Sequence, residues 1–389
     1  MSGAQENPQH SQPRDENESL QSLHVGGQQP YSPSLTLEEK RQALSKILCT
    51  EGHPVLGLAH ISHPITLPNG LRNVTVRSAD PSHERSLLRS SFHEPAWGDN
   101  IVPESGTWSR YHKELAVSQL LQRHGVITPQ LRRVHYFEAS LGAARLPEPC
   151  AAVICDYVEG RNLEMEIHSG KYVQGAAYRY IGEIARSIHN IPTQGFGHLW
   201  DVTQSRFQHN AWADYVEDFF FPEQIDLLEA LKVLSAPEAE NLRHRYQEAL
   251  EWSVSPTLAH GDLLPRNFIV RPDQTLVAID LELAFSGPAL FYEIAQVLQD
   301  DLLSAEPAGL RPLLEGLGIS DSRYETSFKR EAETLACFGL LARIYPSYWA
   351  HHPARDWLQN PPFFSRRAAV SPPEHLWRER FRLGALLQA

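Results

Sequence analysis

Asp262, Asn267 and Asp280 stand close together in the chain, within Leu258-Ala-His-Gly-Asp-Leu-Leu-Pro-Arg-Asn-Phe-Ile-Val270 and Val277-Ala-Ile-Asp280-Leu-Glu282. His260, Asp262 and Asn267 share a short loop that contains Pro265. The loop feeds a hairpin pattern: Phe268 to Arg271, a turn at Pro272-Asp273-Gln274, then Thr275 to Ile279. Such a hairpin returns the chain so that Asp280 lands near Asn267. One acid and two further oxygen ligands then occupy a small volume. That set suits phosphoryl transfer. Mg²⁺ takes oxygen ligands and needs only one or two carboxylates besides the phosphates, so Asn267 and Asp280 are the candidate metal ligands. Asp262 is the candidate to orient an attacking hydroxyl and accept its proton. His260 is the other candidate catalytic residue, although a histidine at this place more often braces the loop than transfers protons.

These residues need a scaffold, and the chain supplies two kinds of segment. Asn73 to Arg77 and Ser86 to Phe92 read as strands, Trp108 to His124 as a helix that Gly125 caps, and Leu131 to Phe137 and Ala151 to Val158 as further strands. Beyond Gly160 the pattern turns helical: Tyr172 to His189, Ala211 to Phe220, Glu238 to Trp252, and most of the chain from Leu290 to the proline-rich breaks near 353 and 361. The expected fold class is α+β: a bilobal arrangement with a small β-rich N-lobe over residues 36–157 and a larger, mostly helical C-lobe over 158–389. Residues 1–35 are polar and poor in aromatics, and are expected to form a disordered tail. A helix is expected to begin at Thr36, which with Glu39 has capping-box spacing.

The spacing His-x-Asp-x-x-x-x-Asn is that of the protein-kinase catalytic loop. The run His260-Gly-Asp262 to Asn267, then Ile279-Asp280-x-Glu282-x-Ala284-x-x-Gly287-Pro288, resembles the aminoglycoside phosphotransferase superfamily, which also includes choline-type and other small-molecule kinases. Gly261, where protein kinases carry Arg, and the Gly-Pro pair favour that branch. The resemblance runs from about residue 65 to 300. It implies a protein-kinase-like fold, Mg²⁺, and ATP or GTP as co-substrate. It also implies nucleotide contacts in the N-lobe: Gly70 and Asn73 in a shortened nucleotide loop, Arg89 at the strand position that usually carries Lys, Glu114 as its acidic partner, and Asp156 to Val158 as the hinge that meets the base. Arg at position 89 keeps the charge but presents a broader fork. Glu293 stands where many members have Asp.

Composition sets the outer limits. The chain has 389 residues and a net charge of −12, which argues against nucleic acid and against an anionic membrane surface, and mildly favours a cationic acceptor. The four cysteines show no metal-ligand spacing, no stretch has membrane-spanning length, and the start lacks a signal-peptide pattern, so a cytoplasmic location is expected. The expected function is phosphorylation of a hydroxyl on a small molecule such as an aminoglycoside or aminocyclitol. The alternatives are a metabolic kinase for an amino alcohol, sugar or amino acid, and a catalytically weak, kinase-like nucleotide-binding protein. Oligomeric state is not legible.

Overall fold

The computed structural model describes residues 73–77, 86–91, 110–137, 140–141, 144–145, 150–201, 206–220, 222–302, 308–350 and 373–388. The helix expected from Thr36 and the loop residue Gly70 lie outside them. In the N-terminal part come β1 (Asn73–Arg77), β2 (Ser86–Ser91), helix α1 (Arg110–Arg123), β3 (Leu131–Phe137), a small hairpin of β4 (Ser140–Leu141) and β5 (Ala144–Arg145), and β6 (Cys150–Asp156). One antiparallel sheet forms in the order β1-β2-β6-β3. Val74, Thr75 and Val76 give β1 the β-branched run that suits a pleated surface. Arg89 lies in β2, inside the sheet, with its backbone opposite Thr75 on one side and Val153 on the other.

Helix α1 crosses from this sheet toward the catalytic segment. It buries Tyr111, Glu114, Val117, Ser118 and Leu121, a spacing that keeps one helical face inward. The helix ends where the sequence places a cap. Gly125 has φ +80, and the backbone N–H groups of Gly125 and Val126 donate to the carbonyls of Gln122 and Leu121.

The C-terminal part opens with β7 (Arg161–Asn162), α2 (Leu163–His168) and α3 (Gln174–His189). Then come β8 (Phe196–Asp201), β9 (Arg206–His209), α4 (Trp212–Phe219), α5 (Pro222–Ala230) and α6 (Ala236–Leu250). The catalytic segment is built from β10 (Thr257–Ala259), β11 (Phe268–Val270), β12 (Leu276–Ala278) and β13 (Phe285–Gly287). It is followed by α7 (Ala289–Asp301), α8 (Leu310–Leu317), α9 (Asp321–Ser327), α10 (Lys329–Ala350) and α11 (Pro373–Gln388). The short strands pair in two small antiparallel sheets, β10-β13-β8-β9 and β12-β11-β7.

Two apolar cores hold these helices. The first gathers Leu163, Ile181, Ile188, Leu263, Phe268, Leu281, Ile294 and Leu313, so the catalytic segment is packed directly into it. Fully burying each such side chain contributes about 1.5–3 kcal/mol. The second joins α4, α5 and α6 to α10 and α11 through Trp212, Leu228, Leu242, Phe338, Leu340 and Leu383. Helix α11, beyond the proline-rich break, is not anticipated by the sequence reading. It docks by burying Glu379, Leu383 and Leu386, and Arg380 donates to Glu238 at 2.7 Å and to the Val233 carbonyl at 2.7 Å. Glu238 is also the capping-box residue of α6, with Ser235. Among the described residues no helix is long and apolar enough to cross a membrane.

Candidate active site

Strand β10 delivers the chain to His260, and from there a tight loop is fixed at almost every backbone group. His260 is 1% exposed and stacks on Phe268. Its Nε2 donates to the Ile279 carbonyl at 3.0 Å, and the Asp262 backbone N–H points at its Nδ1 at 3.4 Å. Burial lowers the His260 pKa to about 4, so the ring is neutral near pH 7. The geometry makes it a brace between the loop and the strand end that carries Asp280.

Gly261 has a physical reason to be glycine. Its φ is +85, and a Cβ there would lie 1.9 Å from the Leu283 carbonyl oxygen. The two halves of the catalytic segment touch through this missing side chain. Gly261→Ala is expected to destabilise the fold by about 3 kcal/mol, from left-handed backbone strain plus overpacking. Denaturant unfolding of the variant measures it, and a midpoint equal to that of the native protein would show that the loop relaxes freely.

Helix α7 holds the loop from below with two residues on one face. Glu293 Oε1 accepts from the backbone N–H of His260 at 3.0 Å and of Gly261 at 3.4 Å. Gln296 accepts from the Leu263 N–H at 3.1 Å and donates to the Gly261 carbonyl at 2.6 Å. The sequence reading leaves the role of Glu293 open and does not single out Gln296. The Glu-x-x-Gln spacing on a helix is the signal that could have found the pair. Asn162 is a third support, donating to the Arg266 carbonyl at 2.7 Å while its oxygen caps α2.

Glu293 carries a pH dependence. It is 2% exposed, and its Oε2 meets no hydrogen-bonding group among the described residues. Burial pushes its carboxyl up to about 8. The folded state therefore keeps a proton that the unfolded chain loses above its ordinary value of 4.5. The stabilising contribution is full below 4.5 and is lost as pH rises through about 8. Glu293→Gln keeps an oxygen for the loop but cannot titrate. Between pH 5 and 8 the native protein should lose stability relative to this variant; parallel melting curves would show that Glu293 is already ionised.

The reactive groups sit on this frame. Pro265 to Asn267 forms a 3-10 turn, and the Ile279 N–H donates to the Asn267 carbonyl at 2.9 Å, which brings the two ends of the hairpin together. The side-chain nitrogen of Asn267 donates to the Asp262 carbonyl at 2.8 Å and to Asp262 Oδ2 at 2.7 Å. With both N–H groups on Asp262, the amide is locked and its oxygen is the atom left for a cation. Asp262 Oδ1 receives Arg266 at 2.6 Å. Asp280 has φ +63, in the left-handed region that a non-glycine residue enters at a cost.

Ligand-type atoms of Asp280, Glu282 and Glu114 lie within 4.8 Å of one another. Glu114 comes from α1, so the N-terminal helix completes the acidic group. Lys113, its neighbour, donates to the Glu282 carbonyl at 2.7 Å and ties α1 to the turn after Asp280. Desolvation pulls the Lys113 ammonium down to about 7, against the raising pull of Glu282 and Glu114. Three carboxylates this close favour a cation between them, and the hard oxygen donor set fits Mg²⁺.

The structure thus brings together Asp262, His260, Asn267, Asp280 and Glu114. Asp156 and Val158 lie at the exit of β6, where the two parts of the chain join. The Asp156 N–H donates to the Gln130 carbonyl, and its side chain pairs with Arg132 at 2.8 Å. Asn73 opens β1 opposite Ser91.

A four-stranded sheet with one helix, a helical lobe, and a loop that sets an Asp and an Asn beside a second Asp define a protein-kinase-like phosphotransferase with an alcohol group as acceptor. Residues 67–322 match the family described as the phosphotransferase enzyme family, and the chain belongs to it. No curated protein matches the sequence. The fold is similar to that of a thermostable variant of aminoglycoside phosphotransferase APH(4)-Ia in ternary complex with ADP and hygromycin B, with a TM-score of 0.58 and 15% identity over 89% of this chain and 98% of that one. A second variant of that enzyme, with AMP-PNP and hygromycin B, gives a TM-score of 0.54 and 16% identity over 81% and 90% of the two chains. The GDP complex of wild-type aminoglycoside 2'-phosphotransferase-IIIa gives 0.53 and 14% over 89% and 99%.

Proposed function

We propose that the chain transfers the γ-phosphoryl group of ATP or GTP, with Mg²⁺, to a hydroxyl of a small, cationic acceptor such as an aminoglycoside or aminocyclitol. The observation that carries this reading is Asn267 locked onto Asp262, with Asp280 brought beside them by the bond from the Ile279 N–H to the Asn267 carbonyl. Asn267 and Asp280, with Glu282 and Glu114 close by, would hold the metal, which supplies charge neutralisation at the phosphates. Asp262 Oδ1, the oxygen that Asn267 leaves unheld, would take the proton of the acceptor hydroxyl. Glu293, Gln296 and Asn162 keep the loop rigid, so positioning is set before the acceptor arrives. Arg89 would serve the phosphates from β2, and the chain from Asp156 to Val158 would meet the base. The two regions divide the work, with the nucleotide held by residues 36–157 and the acceptor by 158–389.

The cationic character of the acceptor is supported by two acids besides Asp262. Asp300 on α7 and Glu164 on α2 both pull on the charge of Arg266 in the catalytic loop, although burial pushes the Asp300 carboxyl up. Two nucleotide-bound aminoglycoside phosphotransferases share the fold, which supports a nucleotide co-substrate here. The setting we propose is cytoplasmic, where a buried thiol such as Cys337 stays reduced. The test is nucleoside-diphosphate release with Mg²⁺ and ATP or GTP against aminoglycosides, amino alcohols and sugars. Release that depends on an aminoglycoside supports the reading. Nucleotide binding with no release across the panel refutes it.

A further inference from the structure

Arg266 is the group this reaction scheme does not use, and it sits on the group the scheme needs most. Its terminal nitrogen is 2.6 Å from Asp262 Oδ1, the other oxygen of Asp262 being held by Asn267. The guanidinium takes a lone-pair site on the oxygen that would receive the acceptor's proton, so an acceptor hydroxyl must approach Oδ1 past it or displace it.

Three features show a contact built to open. Arg266 is anchored through its backbone, whose carbonyl takes the Asn162 side chain, so the loop does not depend on where its side chain points. The side chain is 39% exposed and that of Asp262 17%, so the pair stays in reach of water. Asp300 and Glu164 also pull on the charge of the guanidinium, so Asp262 is not the sole acid that attracts it.

The geometry points to Arg266 as a gate on the catalytic base: a side chain that imitates the cationic acceptor, keeps Asp262 from activating water when no acceptor is bound, and is displaced by the acceptor's own positive charge. This rests on the function proposed above. The reaction it prevents is hydrolysis. Water attacks the γ-phosphorus, its proton passes to Asp262, the bond to the β,γ-bridging oxygen breaks, and the nucleoside diphosphate leaves. Asp262 then returns the proton to solvent. Arg266 acts through Asp262 and is a positioning residue.

The experiment is nucleoside-diphosphate release without any acceptor, with Mg²⁺ and ATP or GTP, for the native protein, Arg266→Ala, Arg266→Lys, Asp262→Asn and the double variant. Arg266→Ala should hydrolyse nucleotide about fivefold faster, the factor by which a partly exposed ion pair worth about 1 kcal/mol favours its closed form. Arg266→Lys keeps a charge that can still cover the base and should lie between. The double variant should fall back to the level of Asp262→Asn. A role in stability alone cannot raise turnover. Unchanged or slower hydrolysis in Arg266→Ala overturns the gate, as does a gain that persists without Asp262. If every protein binds nucleotide and none turns it over, with or without acceptors, the phosphotransferase reading falls and the gate with it. If the native protein phosphorylates an acceptor and Arg266→Ala shows no gain, only the gate falls.

Discussion

Asp262→Asn is expected to lower phosphoryl transfer by about a thousandfold, within the range that a positioned general base supplies, while nucleotide affinity stays near that of the native protein. The substitution keeps the size of the side chain and an oxygen for Asn267. It removes the charge and the proton-accepting power. The loop should survive, because Glu293 and Gln296 hold it through the backbone groups of His260, Gly261 and Leu263. The loss should therefore fall on kcat and leave the nucleotide dissociation constant alone. A variant that loses nucleotide binding in step with turnover would show that Asp262 shapes the nucleotide site and does not act on the acceptor. A variant with full activity would remove Asp262 from the reaction.

Asp280→Asn is expected to cost at least as much, and in a different parameter. Asp280 is the acid that both the hairpin and the left-handed backbone deliver to the centre, and Asn tolerates that backbone conformation. The polypeptide should fold. What disappears is one carboxylate from the group with Glu114 and Glu282. Loss of a metal ligand removes several kcal/mol of charge stabilisation in the transition state, which is a fall of about a thousandfold or more. The diagnostic pair of measurements is melting with and without Mg²⁺-nucleotide. The native protein should be stabilised by the complex and the variant much less, whereas the bare variant should melt no lower than the bare native protein, since fewer like charges crowd together. An unchanged response to Mg²⁺ would place the metal elsewhere.

The two effects separate because Asp262 stands in the catalytic loop and Asp280 at the end of the hairpin that follows it, and that separation is legible in the sequence. From His260 to Asp280 the chain carries its catalytic set in a local stretch, so spacing and turn residues suffice to place it. The structure puts 3-10 turns at Pro265–Asn267 and after Asp280, where the sequence reading has a proline loop and a hairpin end. Strands β1, β2, β3 and β6 and helix α1 are legible too, since alternation, turn residues and a glycine cap mark them.

Other parts were not legible, for reasons of physics. Strands β8, β10 and β13 are short, and segments such as Phe196 to Asp201 mix glycine, histidine and aromatics without alternation. They are strands because they pair in one small sheet. Helix α11 carries Glu379, Leu383 and Leu386 at helical spacing, yet the prolines before it hide the return of the chain. The position of Arg266 is set by a 3-10 turn and an acid four residues back, a contact that no periodic pattern announces. Glu293 shows the opposite case. The longer acid in place of the family's Asp still reaches two backbone N–H groups, so the departure changes burial and protonation more than architecture.

The most direct test of the centre formed by Asp262, Asn267 and Asp280 is to follow the phosphoryl group itself. Nucleotide labelled at the γ-phosphate is incubated with Mg²⁺, the protein and an aminoglycoside panel, and the label is traced. The account predicts label on an acceptor hydroxyl with the native protein, and none above background with Asp262→Asn or Asp280→Asn. Label that appears only as inorganic phosphate, or that reaches the acceptor equally with both variants, would contradict it.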